Sequence, residues 1–456
     1  MFDAMISSFL TALPLVLQWD TLGFMALGTL VGIIVGATPG LTAAMAISVL
    51  LPLAYGMSPL NALGVMAGIY NGVMYGTGVP AILVRIPGTP ASIATTWDGY
   101  PLAQQGKAVF ALQVAMVSSA AGGMVSALAL MLFAPPLSRV TVAFGPPEMF
   151  WVAILGLTSV SALLGKDTVK GLFGVTVGMF FALIGIDKVT GHERYTFDSM
   201  YLVAGPDMVV VLLGLFALPP TFMMIEQKVR DASTRTSLEG PRLKLKDLGG
   251  FMPIWARGSV IGVLVGILPG VGGNIAAFLN YNEAKRNSPD PDSFGRGNPK
   301  GVAAAEFANN ADNAAAMIPA LTLGVPGNVV AALFMGAFMI HGMQPGPLLF
   351  NLNADVTYGF MLQMFITAGM ILFFGGILAT RLFSRMLEVP RDLLVPLILC
   401  MTVLGVYTLN NREFDLYVLL FFGALGYILE KTEVPLAPVA LGLILGPVAE
   451  YNFRTT

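Results

Sequence analysis

The chain has 456 residues, of which 56% are hydrophobic and 11% are charged, with one cysteine and a formal net charge of -2. A soluble domain carries roughly 25% charged residues, so this chain lacks the polar surface that a soluble protein of its length needs. The charge balance and the lack of a basic stripe with interleaved aromatic residues exclude a nucleic-acid partner. The lone Cys400 excludes an intramolecular disulfide framework.

Apolar runs fill most of the sequence, and many approach or exceed the roughly 20 residues that a membrane-spanning helix needs. Examples are residues 60–84, 108–134, 149–165, 358–379 and 416–429. They predict an all-α polytopic membrane protein in contact with lipid, with about 12 membrane segments. No basic residue precedes Arg85, which argues against a secretory signal and favours an outward N-terminus.

One phrase occurs twice along the chain, as "GTLVGIIVGATPGLTA" at 28–43 and "GSVIGVLVGILPGVGGNIA" at 258–276. Its Gly and Pro positions align at an offset of 230 residues, and a second pair of blocks, "VPAILVRIPGTP" and "IPALTLGVPGNV", aligns at 239. These repeats predict two related halves. The first is 1–225 with its repeat core at 28–107, and the second is 253–456 with its core at 258–350. The basic linker 226–252 between them is predicted to face the cytoplasm.

Each repeat contains Pro-Gly breaks inside apolar sequence. Glycines at a spacing of four let membrane helices pack closely, but a Pro-Gly pair in mid-membrane also leaves backbone carbonyls that lipid cannot satisfy. Paired interrupted segments in two related halves are typical of a transporter's binding site. Basic residues flank segment 254–280 on both sides, and each arm of about 14 residues reaches only about 20 Å into a core of about 30 Å. We therefore predict re-entrant hairpins in two inverted-topology repeats, with a single broken crossing as the alternative.

The half-helices after such breaks point their positive dipole ends at the midplane, which suits an anionic substrate. Arg85 could pair bidentately with a carboxylate or could extend to the membrane interface. The candidate substrate-binding residues flank the four breaks: Pro39, Gly40, Leu41, Thr42, Arg85, Pro87, Gly88, Thr89, Pro269, Gly270, Gly272, Gly273, Asn274, Pro326, Gly327 and Asn328.

Among the segments flanked by apolar sequence, the most polar is "AAAEFANNADNAAAMIP" at 303–319. On one helix, its acid and amide side chains form a continuous face. An acid at membrane depth is costly unless it faces a cavity or a partner, so this face predicts a coupling-cation site that could hold Na+. The alternative is a hydrogen-bonded seam between helices. The candidate residues are Glu306, Asn309, Asn310, Asp312 and Asn313, with Asn71 aligned to Asn310 in the first half.

The sequence contains no GxxxxGK[ST], HExxH, CxxC or GxSxG motif. This argues against an ATPase and against an enzyme, and no cofactor is predicted apart from Na+ or H+ as coupling ion. A transporter is the main hypothesis. Two alternatives stay open: a structural membrane subunit whose pathway lies elsewhere, and a membrane-embedded enzyme.

Several phrases together resemble the large membrane subunit of the tripartite tricarboxylate transporters, the TctA family. They are "GATPG", "IPGTPASIATTWDGYPLAQQGKA", "GILPGVGGNIAAFLNYNEAKR", "FGRGNPKGVAAAEFANN", "LTLGVPGN" and "HGMQPGPLLF". The resemblance covers nearly the whole chain. It implies a symporter that imports a tricarboxylate, a dicarboxylate or an aromatic acid across a bacterial inner membrane. It also implies a TctB-like small membrane subunit and a TctC-like periplasmic substrate-binding protein as partners.

The resemblance also ranks the candidate residues. The Pro-Gly pairs, together with Asp98, Gly99, Glu306, Asn309 and Asn310, match family positions of the same kind. The family usually has a small polar residue in place of Arg85 and small residues in place of Asp312 and Asn313. Glu306 therefore ranks above Asp312 as coupling acid, and Arg85 and Asp312 are expected to adapt this member to its own substrate.

The expected mechanism is alternating access with an elevator-like motion. A hairpin-bearing unit would slide against a scaffold to which the less polar C-terminal spans, 393–409 and 416–429, contribute.

Overall fold

The computed structural model describes residues 2–38, 40–163, 168–226, 240–269, 272–378 and 391–456. The regular secondary structure of the described part is helical, apart from a two-stranded antiparallel ribbon of β1 (Gly185–Ile186) and β2 (Glu193–Arg194). The helices are α1 (Phe2–Val16), α2 (Trp19–Ala37), α3 (Ala43–Ala54), α4 (Pro59–Gly76), α5 (Gly78–Val84), α6 (Ser92–Gln104), α7 (Ala108–Thr141), α8 (Pro146–Leu163), α9 (Thr168–Ala182), α10 (Met208–Glu226), α11 (Met252–Ile267), α12 (Gly272–Arg286), α13 (Pro299–Ala311), α14 (Met317–Leu323), α15 (Val329–Ile340), α16 (Leu349–Leu352), α17 (Ala354–Leu378), α18 (Arg391–Asn410), α19 (Glu413–Lys431) and α20 (Leu436–Thr455).

The predicted all-α polytopic class is confirmed. Within the described residues, five helices are long and apolar enough to cross a membrane: α2, α7, α10, α17 and α20. Further apolar helices of 10–17 residues, such as α3, α11 and α15, are too short to cross alone. The number of membrane segments stays a prediction.

The two sequence repeats form the same series of helices, α2–α6 and α11–α15. α2 ends at Ala37 and α11 ends at Ile267, which keeps the offset of 230 residues. Each end is closed in the same way, because the N–H of Thr38 donates to the Val35 carbonyl and that of Leu268 donates to the Val265 carbonyl. The short helices α5 and α14 both have seven residues and lie at the offset of 239.

The starts of α5 and α14 are determined by proline. Pro80 and Pro319 are each the third residue of their helix, in the first turn where a missing N–H costs nothing. A helix passing continuously through either position would lose a hydrogen bond, so the chain begins a new helix there. Both short helices end at a residue in the left-handed conformation, Arg85 (φ 57°) and Gly324 (φ 71°).

The glycines of the repeated phrase lie where helices touch. A β-carbon at Gly32 would sit 2.5 Å from the Ile69 carbonyl oxygen of α4, and Gly28 and Gly36 meet α4 carbonyls one turn away in the same manner. In the second half, a β-carbon at Gly262 would lie 2.5 Å from the Ala311 methyl group. These glycines therefore allow close helix packing, in addition to preceding a break in the helix.

The broken helices of the two halves run antiparallel. Asn313 donates to Asn71 at 3.2 Å. Glu306, seven residues before Asn313, lies against Gly78, seven residues after Asn71. An inverted repeat requires this relation between equivalent helices. The long helix α7 lies parallel to α13, and α17 lies parallel to α4, so each half packs its long helix on the broken helix of the other. The orientation of the repeats in a membrane stays a prediction.

Helices α11 and α12 form a helical hairpin. α11 and α12 lie antiparallel, with Gly258 early in α11 against the Asn280 side chain late in α12. Both free ends of the hairpin lie at one polar end of the molecule, here called the basic face. Gln105 donates to the Arg296 carbonyl there at 2.9 Å, and Leu243 N–H donates to Gln113 at 2.8 Å. Linker residues 227–239 lie outside the described residues.

A second layer of helices covers one side of this core. The Gly178 face of α9 and the Gly442 face of α20 bring their backbones into contact, and Gly214 of α10 meets α19 at the Leu419 carbonyl. The C-terminal helices therefore pack on α9 and α10.

Candidate functional site

The polar run 303–319 does not form one continuous helix. α13 ends at Ala311, Asp312 follows as its C-cap, and hydrogen-bonded turns lead to α14. The predicted single helical face is therefore wrong beyond Ala311, because Pro319 must lie in the first turn of a new helix. Asn313 still approaches Asn310, with Nδ2 to Oδ1 at 3.4 Å, so the amide cluster survives the break.

Asp312 lies where two of the predicted breaks meet. Its side chain is 2% exposed. A β-carbon at Gly266, near the end of α11, would lie 3.1 Å from Asp312 Oδ1, and one at Gly273, in the first turn of α12, would lie 3.3 Å from Oδ2. The Pro-Gly pair at 326–327 lies against the same part of α11, since a β-carbon at Gly327 would lie 2.9 Å from the Gly266 carbonyl oxygen. Gly270 lies outside the described residues.

Three side-chain oxygens around this break are buried and lack a hydrogen-bond partner in the described structure. They are Asn309 Oδ1, Asp312 Oδ1 and Asn313 Oδ1. The position of a Gly273 β-carbon is 2.6 Å from Asn309 Oδ1, 3.0 Å from the Asn309 carbonyl oxygen and 3.3 Å from Asp312 Oδ2. Oxygens of two residues thus converge beside Gly273, and unpartnered buried acceptors of this kind need an explanation.

The other two predicted amides, Asn71 and Asn310, have hydrogen-bond partners, and Asn71 lies between helices. Asn71 donates to the Met364 carbonyl at 3.1 Å and to Thr367 at 2.9 Å, both on α17. Asn310 donates to the Glu306 carbonyl at 2.9 Å, one turn back on α13. Asn71 therefore holds α4 to α17, whereas Asn310 bonds within α13 and to Asn313, and neither side chain has an unpartnered atom in the described structure.

Glu306 is 1% exposed and accepts two side-chain hydrogen bonds. Thr95 of α6 donates to Oε1 at 2.6 Å, and Ser119 of α7 donates to Oε2 at 2.9 Å. Gly78, at the start of α5, leaves room for the carboxyl group. Glu306 thus joins three helices of the first half to α13, which is a connecting role.

The first hairpin tip has a different environment. Leu41 is buried in an apolar cluster with Met224 of α10 and Ile398 of α18. Thr42 caps α3 by accepting from Met45 N–H at 3.2 Å. Pro39 lies outside the described residues, and Gly40 takes a left-handed conformation (φ 93°). The described contacts of this tip are with α10 and α18 rather than with the Asp312 cluster.

Arg85, two residues before the Pro-Gly pair at 87–88, lines an open cleft of about 670 Å³ between α6, α12 and the turn at 294–295. Arg85 is exposed, and its guanidinium carbon lies 5.8 Å from the centre of the Tyr100 ring. The cleft is lined by Arg85, Thr96, Trp97, Tyr100, Tyr281 and Lys285, among others. Pro87 is exposed, whereas Gly88 and Thr89 are half-buried.

The remaining predicted residues border the second hairpin tip. Pro269, Gly272 and Asn274 are half-buried, and Pro326 is buried. Asn328 caps α15 by accepting from Ala331 N–H at 2.9 Å, and its Nδ2 donates to Tyr70 at 3.1 Å.

Asp98 of the "TWDGYP" phrase anchors the loop before α13. It is fully buried, and its Oδ1 accepts from the backbone N–H groups of Gly295, Gly297 and Asn298 at 2.9, 2.9 and 2.7 Å. Tyr281 of α12 donates to Oδ2 at 2.8 Å. Asp98 therefore ties α6, α12 and this loop together at the basic face.

Sequence reasoning missed Tyr70, Ser119 and Lys285. Tyr70 aligns with Asn309 at the offset of 239, so a comparison of the two halves at each polar position would have pointed to it. Ser119 and Lys285 carry no such signal. In the part of the chain that the structure describes, no group of three or more His, Cys, Asp or Glu side chains could hold a metal ion.

Comparison with known proteins identifies the family of the chain. Residues 22–441 match the sequence model of the Tripartite tricarboxylate transporter TctA family. The chain belongs to the TctA family. TctA membership makes it a membrane subunit of a tripartite tricarboxylate transporter, a multi-pass membrane protein with a transport role that works with other subunits on a small-molecule substrate.

Two relatives come from Agrobacterium vitis. One, described as an uncharacterized 52.8 kDa protein in the TAR-I ttuC' 3' region, is 36% identical over 98% of this TctA chain and 88% of its own length. The other, described as an uncharacterized protein in the TAR-II ttuC' 3' region, is 38% identical over 42% of this chain and 79% of its own length. No solved structure matches the chain.

Proposed function

We propose that this subunit imports a carboxylate across a bacterial inner membrane by symport with a cation. A TctC-like periplasmic binding protein would deliver the substrate, and a TctB-like small membrane subunit would complete the complex. The observation that carries the proposal is the buried Asp312, which lies between the α11–α12 hairpin and the Pro-Gly break at 326–327 and has an oxygen without a hydrogen-bond partner among the described residues.

The chemistry of this cluster suits a cation. A buried carboxylate needs a compensating charge, and no ion pair to Asp312 exists among the described residues. Carboxylate, amide and backbone carbonyl oxygens are the ligands that hard cations prefer. Asn309, Asp312 and Asn313 would hold a sodium ion, and Asp312 alone could carry a proton instead.

Asp312 is a better coupling acid than Glu306 on the observed contacts. Both carboxyl oxygens of Glu306 already accept from hydroxyl groups, whereas Asp312 Oδ1 has no partner in the described structure. This reverses the ranking that the resemblance implied. Because the family usually has a small residue at the position of Asp312, the proposed cation site would be a property of this member and its close relatives.

Uptake into proteoliposomes that contain the whole complex tests the proposal. Sodium and proton gradients are imposed separately, and uptake of radiolabelled carboxylates is measured for the wild type, Asp312→Asn and the surface variant Asp292→Asn. We expect gradient-driven uptake in the wild type and in Asp292→Asn, and its loss in folded Asp312→Asn. The gradient that drives uptake names the ion.

Two results would overturn the proposal. Gradient-driven uptake that is unchanged in Asp312→Asn would remove the cation from this cluster. Uptake that requires neither gradient, with the same rate in all variants, would favour a structural subunit whose partner forms the pathway.

The movement proposed for alternating access is elevator-like. Close backbone contacts join α9 to α20 and α10 to α19, and these two helix pairs would form part of the scaffold. The hairpin of α11 and α12, together with α13–α15, would move against it. Crosslinking between α10 and α15, with substrate gradients present and absent, would detect a change in their register; identical crosslinks in both conditions would contradict sliding.

A further inference from the structure

The left-handed conformation of Arg85 requires an explanation. A residue with a β-carbon is disfavoured in this conformation, and the equivalent position of the second half holds Gly324, which adopts it freely. The fold therefore needs only a glycine at this corner. A strained side chain at such a place indicates that the side chain itself has a use.

The cleft beside Arg85 contains two cations without acidic partners. Among the described residues, neither Arg85 nor Lys285 forms an ion pair. The neighbouring acid Glu283 instead pairs with Arg286 at 2.8 Å and approaches Arg257 at 3.9 Å. The cleft thus carries two positive charges that form no ion pair among the described residues, with the buried Asp98 carboxylate behind its Tyr281 and Gly295 wall.

The cleft also has the shape and surroundings of a small-molecule site. Its volume of about 670 Å³ lies in the usual range for ligand pockets. Trp97, Tyr100 and Tyr281 provide aromatic walls. The Arg85 guanidinium lies over the Tyr100 ring in a cation–π contact. One edge of that guanidinium remains available for a bidentate contact with a carboxylate.

The position of the cleft connects it to the transport machinery. It opens at the basic face, and its Arg85 precedes the Pro-Gly pair at 87–88 by two residues. α6 separates the cleft from Glu306, since Thr95 binds Glu306 while Thr96 and Trp97 line the cleft. By the positive-inside rule this face is cytoplasmic. A substrate in the cleft would therefore be on the side where import ends.

We infer that this cleft is the inward-facing substrate site and that Arg85 and Lys285 together select a dicarboxylate over a monocarboxylate. Each cation takes one carboxylate group, and the substrate then leaves to the cytoplasm. The inference rests on the proposed function, because it names the substrate class of the same transporter.

Equilibrium binding to the purified full chain tests the inference without any gradient. Isothermal titration calorimetry compares succinate with succinamate, which has nearly the same shape but only one carboxylate. The variants are Arg85→Gly, Lys285→Gln and the control Arg286→Gln, whose side chain is paired with Glu283 outside the cleft. Arg85→Gly keeps the left-handed corner and relieves its strain, so the variant is expected to fold at least as well as the wild type.

We expect succinate to bind the wild type at least about tenfold more tightly than succinamate, because each charged contact contributes that much. Arg85→Gly and Lys285→Gln should each weaken succinate binding about tenfold and leave little preference between the two ligands. Arg286→Gln should bind as the wild type does. Equal affinity for the two ligands in the wild type, or unchanged succinate binding in Arg85→Gly, would overturn the inference.

The two proposals can fail separately. If uptake is gradient-driven but succinate affinity does not depend on Arg85, the symport proposal stands and the proposed substrate site in the cleft is refuted. Arg85-dependent succinate binding in a complex without gradient-driven uptake keeps the cleft as a dicarboxylate site and refutes the symport mechanism.

Discussion

Replacing Asp98 by asparagine should loosen the loop before α13 while the rest of the protein stays folded. The asparagine side chain keeps one oxygen that can accept from the three backbone N–H groups. Their hydrogen bonds become weaker, because they change from charge-assisted to neutral. A bond to a charged group contributes about 1.5–3 kcal/mol and a neutral one about 0.5–1.5 kcal/mol, so each of the three loses about 1 kcal/mol. The total loss of about 3 kcal/mol corresponds to roughly a hundredfold rise in local opening.

Hydrogen exchange measures this opening directly. We expect peptides that contain Gly295, Gly297 and Asn298 to exchange about a hundredfold faster in the Asp98→Asn variant. Tyr281→Phe removes the single bond to Oδ2 and should have a smaller effect. The exposed Asp292 of the same loop serves as the control, and Asp292→Asn should exchange as the wild type does.

The reasoning is refuted if the loop peptides of Asp98→Asn exchange at the wild-type rate. A fall in the melting temperature without faster exchange in the loop would equally contradict it, because Asp98 would then act through contacts other than the three backbone bonds.

Three further predictions follow from the packing and the charges. Gly32→Ala should destabilise the folded chain by about 1–3 kcal/mol through overpacking against α4, whereas Gly23→Ala on the same helix, where a β-carbon meets nothing within 4 Å, should be neutral or stabilising by up to about 1 kcal/mol; the melting temperature of both in detergent checks this. Ser119→Ala removes one of the two hydroxyl donors to the buried Glu306 and should cost about 1–3 kcal/mol, while Ser259→Ala, whose hydroxyl binds only its own helix, should cost less; denaturant titration that finds equal losses would contradict the role of Ser119. Hydrogen bonds from Thr190 and the Val189 N–H, with the Arg454 guanidinium beside them, hold the pKa of Asp187 well below its usual range. Its contribution to stability is therefore complete above about pH 4 and is lost as the pH falls further, so the melting-temperature difference between the wild type and Asp187→Asn should shrink in acid, and a constant difference would be inconsistent with it.

Much of the fold could be predicted because the two repeats share the positions of their glycines and prolines. Gly32 lies at a helix contact that leaves no room for a side chain, and Pro80 and Pro319 start new helices where their missing N–H costs nothing. Such backbone requirements depend on local geometry and are visible in sequence. The hairpin of α11 and α12 follows from the same reasoning.

The partners of the buried polar groups could not be predicted in this way. Thr95 and Ser119 meet Glu306 from 211 and 187 residues away, and nothing in their own neighbourhoods marks them. The break after Ala311 was also missed, because the face from Glu306 to Asn313 satisfies helical spacing whether or not the helix continues. Long-range packing decides these features, and sequence periodicity does not report it.

The exchange of long helices between the two halves has a consequence for biosynthesis. The Asn71 side chain of α4 finds its acceptors, Met364 and Thr367, only on α17, and Ser119 of α7 finds Glu306 only on α13. At translation rates of about 5–20 residues per second, these side chains wait on the order of 10–60 seconds after synthesis before their partners emerge. The first half must spend that interval in the membrane with these polar groups unpaired, so the insertion machinery or another subunit has to shelter α4 and α7 until the second half is synthesised.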